Sequence, residues 1–195
     1  MDPMSFRSLS TPGGRQQGFS LIEVLVSMFI VSLGILALSG LMQASSRYGK
    51  TSELRATATL LANDIADHIR ANAAGAHAGT TGYNLGDAYT SSPSITAPTP
   101  DSCPTFCTPD DLAAVDLYAF RTRLKAMLPG GNAFLLYHAP VASSNAKGSV
   151  DVWVAWTDPS VSPSTPNERP ASECAAGLGV DSNYAVRCVY LQAGL

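Results

Sequence analysis

The sequence predicts an α+β fold: a long N-terminal helix, transmembrane in its first half, packed on a small antiparallel sheet of three to four strands, with one additional helix. Three observations carry this prediction. Residues 19–42 contain one ionisable side chain, Glu23, and no proline. Beyond them Leu54, Ala58, Leu61, Ile65 and Ile69 keep a helical period, with charged and amide residues on the other faces. Near the C-terminus Val150, Val152, Val154 and Trp156 alternate as a strand does when one face is buried.

Composition agrees with a chain that is only partly in water. Of 195 residues, 46% are hydrophobic and 14% charged, against roughly 25% charged in an average soluble chain. The apolar run of 24 residues would give about 36 Å of helix, enough for a hydrocarbon core of about 30 Å with some tilt. A removable secretory signal has a shorter apolar core and a small-residue site on its far side. Here the break is on the near side, where a polar leader with Arg7 and Arg15 ends in Gly18. Arg47, Lys50 and Arg55 flank the other end, so loop charge alone does not orient the helix. The formal charge of −3 argues against a nucleic-acid partner, as do the 10 Lys and Arg against 14 Asp and Glu from residue 19 onward, despite a local group of Arg121, Arg123 and Lys125.

One helix is predicted from about 19 to 72, roughly 80 Å long. Gly34 and Gly40 are its weak points, or places of close helix contact. From Ala73 to Pro100 small residues and prolines read as a long connection. Thr108-Pro-Asp-Asp111 reads as a helix start, with Thr108 as N-cap, Pro109 at the first position and two carboxylates on the positive end of the dipole. Leu112, Val115, Ala119, Leu124 and Met127 form its expected apolar stripe, and Leu-Pro-Gly-Gly131 stops it. Strands are expected over 133–138, 150–156 and 183–192.

No catalytic residue is assigned. His68, His77 and His138 fall in no ligand or nucleophile motif, and nucleophile-elbow, zinc-protease and phosphate-loop patterns are missing. Asp110 and Asp111 read as helix-start chemistry, and Trp153 and Trp156 as sheet packing. Cys103, Cys107, Cys174 and Cys188 allow three disulfide pairings. They lack the paired knuckles of a zinc site, so neither metal nor cofactor is expected.

A carboxylate one turn inside a membrane helix is costly and functional by default. The segment Gly18-Phe-Ser-Leu-Ile-Glu23-Val-Leu-Val resembles the processing signal of the type IV pilin and pseudopilin superfamily. The resemblance implies the pilin fold, cleavage by a prepilin peptidase between Gly18 and Phe19, and methylation of the new Phe19 amine. Glu23 would pair with the N-terminal amine of a neighbouring subunit during assembly. The leader, residues 1–18, would be cytoplasmic, 19–42 the transmembrane and filament-core helix, 43–72 its amphipathic continuation, and 73–195 a periplasmic head with a variable loop and a C-terminal disulfide region. That compartment is oxidising; of the three pairings the local one, Cys103 with Cys107 and Cys174 with Cys188, is favoured, and its second bridge resembles the C-terminal disulfide loop of many pilins.

Several later segments resemble the PilV-type minor pilins, the type IV pilus modification proteins: Asp111-Leu-Ala-Ala-Val-Asp-Leu-Tyr-Ala-Phe, Val152-Trp-Val-Ala-Trp156 and Arg187-Cys-Val-Tyr-Leu191. This implies a structural subunit rather than an enzyme, acting in priming of pilus assembly and in a tip complex that affects adhesion and twitching motility. Its partners would be other minor pilins and the major pilin, the inner-membrane assembly platform and a tip adhesin. The protein would move from the bacterial inner membrane to the pilus surface. The alternatives are a minor pseudopilin of type II secretion and a membrane-anchored periplasmic binding domain.

Overall fold

The computed structural model describes residues 18–77, 82–98, 107–140, 148–161, 173–180 and 185–195. Its helices are α1 (Leu21–Ala71), α2 (Ala73–His77) and α3 (Pro109–Met127). Its strands are β1 (Asn132–His138), β2 (Ser149–Thr157) and β3 (Val186–Gly194), with a 3-10 turn at Ala176–Leu178 before the last. This is the type IV pilin architecture. The chain forms two compact units, Met1–Ser45 and Ser46–Leu195.

In the first unit the described residues are helical from Leu21 onward and run without interruption through Gly34 and Gly40, neither of which has an atom of another segment within 4 Å of a Cβ position. Among the described residues, close contact with another segment is therefore not the reason for either glycine.

In the second unit, residues Leu54, Ala58, Leu61, Ala62, Ile65, Ala66 and Ile69 of α1 are buried. Small alanines at 58, 62 and 66 alternate on this face with the larger Leu54, Leu61, Ile65 and Ile69. They meet Ala133, Leu135, Val150, Val152, Val154, Trp156 and Ala193 in one core, to which Phe120 and Leu124 of α3 also belong. Antiparallel pairing in the order β1-β2-β3 makes β2 central, and its register sets Leu135, Val152 and Leu191 side by side on the inner face. Because side chains alternate along a strand, Phe134, Trp153 and Tyr190 share the row on the outer face. A bridge between Leu85 and Leu135 adds one more pairing at the β1 edge.

The start of α3 follows from its sequence. Thr108 Oγ1 accepts the Asp111 N–H at 3.2 Å and the Thr108 N–H donates to Asp111 Oδ2 at 3.1 Å, a reciprocal cap. Its end needs glycine for steric reasons: Gly130 has φ of 60°, and a Cβ on Gly131 would lie 2.3 Å from the Leu124 carbonyl oxygen.

Two expectations need correction. The buried stripe of α3 is Ala113, Asp116, Phe120 and Leu124, whereas Leu112, Val115, Ala119 and Met127 are exposed. A carboxylate occupies a core-facing position because partners distant in sequence satisfy it, which turns the helix away from the face that hydropathy alone selects. The connection after α1 is also not wholly irregular, since Asn72 turns the chain into the short α2: its Nδ2 donates to the Pro109 carbonyl at 2.7 Å and its Oδ1 accepts the Gly75 N–H at 3.3 Å. The last strand begins at Val186, and residues 183 and 184 of its expected start lie outside the described residues.

At one end the outer face of the sheet is covered. Cys174 and Cys188 form a disulfide, and the following turn sets Leu178 and Val180 over Ala155, Val186 and Cys188. Closing a loop of about 15 residues is worth roughly 3 kcal/mol in the chain-entropy account. Replacing both cysteines by serine is expected to lower stability by about 2–4 kcal/mol in denaturant unfolding of the detergent-solubilised protein; a loss under about 0.5 kcal/mol would mean that the turn holds itself against the sheet.

Candidate functional site: the N-terminal motif and the apolar helix

Gly18 and Phe19 precede α1 outside the helix, and Glu23 sits in the first helical turn, where its N–H donates to the Ser20 carbonyl at 3.0 Å. A carboxylate at this end of a helix is favoured by the macrodipole. Gly18 is exposed, and none of the described residues lies within 4 Å of a Cβ position on it. Leu21, Ile22, Leu25, Met28, Phe29, Ile30, Leu33 and Leu36 are each more than half exposed. A helix with every face apolar and uncovered requires a nonaqueous surrounding.

The polar groups within this helix are handled as a lipid environment demands. Ser27 Oγ donates to the Val24 carbonyl at 2.9 Å, Ser32 Oγ to Phe29 at 2.8 Å and Ser39 Oγ to Ile35 at 2.8 Å. Each hydroxyl thus spends its proton on the helix itself, so none asks for water. Glu23 remains the one ionisable side chain of residues 19–42. By length and composition α1 is able to cross a membrane.

The other residues singled out from sequence fall in the head. Cys107 is disulfide-bonded, and Cys103, its expected partner, lies outside the described residues. Asp111 serves the cap of α3. Trp156 is in the inner core at 1% exposure, whereas Trp153 packs on the outer face with Phe134 and Tyr190. Arg121 pairs with Asp87 at 3.7 Å and donates to the Ser94 carbonyl at 3.0 Å; Arg123 pairs with Asp64 at 2.8 Å. Two of the three cations in the local basic group are therefore committed to the head's own structure.

Two carboxylate clusters escaped sequence reading, because each is assembled from segments far apart in the chain. The alternation of β2 marks 151 only as an outward position, and the partners that surround Asp151 come from β1 and β3. Asp116 of α3 accepts the Tyr83 hydroxyl and meets His68 Nδ1 of α1 at 3.1 Å, and Asn72 donates to the Tyr83 oxygen at 3.4 Å. Asp151 of β2 accepts from His138, Tyr190 and Gln192. No group of three or more His, Cys, Asp or Glu suited to a metal occurs among the described residues.

Burial, then the neighbouring Asp116, pushes the Tyr83 hydroxyl well above its ordinary value of 10.0. A proton held more firmly in the folded chain than in the unfolded one stabilises the fold fully below pH 10 and progressively less as the pH rises through the raised folded value. Tyr83→Phe is expected to cost about 1–3 kcal/mol at neutral pH, because Asp116 loses a buried donor, and to flatten the alkaline fall in stability. Denaturant unfolding at neutral pH and above pH 10 measures both; an unchanged alkaline slope would remove Tyr83 from this role.

The comparison with known families bears on the N-terminus. A family model described as the prokaryotic N-terminal methylation motif matches residues 13–39. It covers the leader's end, Gly18, Phe19, Glu23 and most of the apolar run, and together with the fold it supports a type IV pilin-like protein. No curated protein and no solved structure matched the chain.

Proposed function

We propose that this chain is a minor pilin of a type IV pilus, of the PilV type, which helps prime pilus assembly and joins a tip complex that influences adhesion and twitching motility. The observation that supports a pilin-like subunit most strongly is a methylation motif placed on an exposed apolar stretch, residues 19–42, whose one ionisable side chain is Glu23. The looser likeness over residues 111–120, 152–156 and 187–191 supports the minor-pilin branch.

In this reading a prepilin peptidase removes residues 1–18 on the cytoplasmic side of the inner membrane and the Phe19 amine is methylated. The head is periplasmic, and the assembly platform draws the subunit out of the bilayer. The apolar stretch 19–42 then exchanges lipid for the helices of other minor pilins and the major pilin, an exchange that needs no new hydrophobic driving force because both surroundings are apolar. The Glu23 carboxylate pairs with the amine of the adjacent subunit's first residue. Either charge alone in an apolar medium is costly, so the pair fixes axial register more than it adds net stability.

The role is structural, with a tip adhesin as the outermost partner. A type II secretion pseudopilin would use the same N-terminal chemistry and is the second reading that the motif supports. The internal pairing of Arg121 and Arg123 weighs against a DNA-receiving pilin.

Glu23→Ala is expected to leave the head's unfolding midpoint unchanged and to abolish recovery of the subunit in sheared pili, with the protein retained in the membrane. Incorporation of the variant at the normal level would refute the pairing mechanism. Recovery of the unaltered subunit only in secretion pseudopilus preparations would favour the second reading.

A further inference from the structure

The outer face of the sheet is closed at the end with the disulfide and presents an ordered surface at the other. Two rows cross it, Phe134-Trp153-Tyr190 and Leu136-Asp151-Gln192. The first is held from the closed end. The Phe134 ring lies where a Cβ on Gly177 would come within 2.5 Å of it, it meets Trp153 edge to face at 5.8 Å, and Trp153 lies 4.9 Å from Tyr190. Tyr190 is 49% exposed and Leu136 39%.

Asp151 lies beside this aromatic row with its side chain 12% exposed. Its Oδ2 is 2.8 Å from His138 Nε2, and its Oδ1 accepts the Tyr190 hydroxyl at 2.9 Å and the Gln192 amide at 3.0 Å. Among the described residues no lysine or arginine pairs with it; its one potentially cationic contact is the half-exposed His138. A carboxylate is thus held at the edge of an aromatic row by its donors, beside the half-exposed Tyr190 and the exposed Gln192.

The combination of a carboxylate, the half-exposed Tyr190 and the exposed Gln192 selects among ligands. An anion would meet the Asp151 charge. A sugar needs donors as well as acceptors, and the Tyr190 proton and one Gln192 proton are already committed to Asp151. A purely apolar helix would bury the carboxylate without a counter-charge. A planar guanidinium satisfies all of these demands: it stacks on aromatic rings, carries the opposite charge and supplies five donors. We infer that the patch formed by Trp153, Tyr190, Asp151 and Gln192 is a recognition site for an arginine side chain presented by a partner polypeptide. This site rests on the head alone and stands apart from the filament reading.

The test uses the full chain in detergent micelles with nitrogen-labelled indoles, titrated with acetyl-arginine amide and, separately, with the uncharged isostere acetyl-citrulline amide. The two tryptophans provide an internal control, since Trp156 lies on the opposite, buried face. The arginine probe is expected to shift the Trp153 indole signal saturably and to leave Trp156 in place. Citrulline should bind at least about tenfold more weakly, and Asp151→Asn should weaken the arginine probe by about tenfold or more. If the Trp156 signal shows that Asp151→Asn disturbs the core, Tyr190→Leu on the exposed face takes its place, with the same loss expected. A Trp153 signal that does not move, that moves equally with citrulline, or that responds undiminished in the well-folded variant overturns the proposal.

Discussion

Twenty-four consecutive residues, 19–42, with a single ionisable side chain cannot be left in water, and the handling of polar groups in that stretch follows from this constraint. Exposing one large apolar side chain instead of burying it costs about 1.5–3 kcal/mol, so a helix uncovered on every face needs either lipid or other apolar helices. The serine hydroxyls folded back onto Val24, Phe29 and Ile35 suit either medium. Glu23 suits neither unless it is paired or protonated, which makes it the place where one medium can be distinguished from the other.

The head meets a different demand. From Leu54 onward α1 supplies one wall of a core that it shares with a small three-stranded sheet. Among the described residues, the Cys174 to Cys188 bridge with its turn covers one end of the sheet's outer face. The polar ties are concentrated at junctions. Asp116 with Tyr83 and His68 joins α3, the connection and α1, while Thr51 donates to the buried Asp158 at 3.2 Å, joining α1 to the chain beyond β2. Buried carboxylates used this way specify which face of each element is inward, at a desolvation cost that their hydrogen bonds offset.

What could be read from the sequence divides along the same line. Periodic apolar burial was legible: the α1 stripe, the inner face of β2 and the stop at Gly130 and Gly131 all follow from local chemistry. So was the N-terminal motif, because its glycine, aromatic residue and carboxylate lie within six positions. The face of α3 was not legible, since Asp116 belongs to the core only through Tyr83 and His68, 33 and 48 residues away. The Asp151 cluster is likewise visible only once β1, β2 and β3 are in register. Patterns of period 2 or 3.6 report hydrophobic burial, and they do not report a polar residue whose partners arrive by tertiary folding.

The central claim is that the apolar helix belongs to a processed filament subunit and not to a permanent anchor. The most direct measurement is the N-terminus and intact mass of the protein purified from its own membrane, before and after reduction and alkylation. The account predicts a chain that begins at an N-methylated Phe19, with Cys174 and Cys188 alkylated only after reduction. A chain that keeps residues 1–18 in a cell with active prepilin peptidase would contradict it and leave an anchored head in place of a pilin.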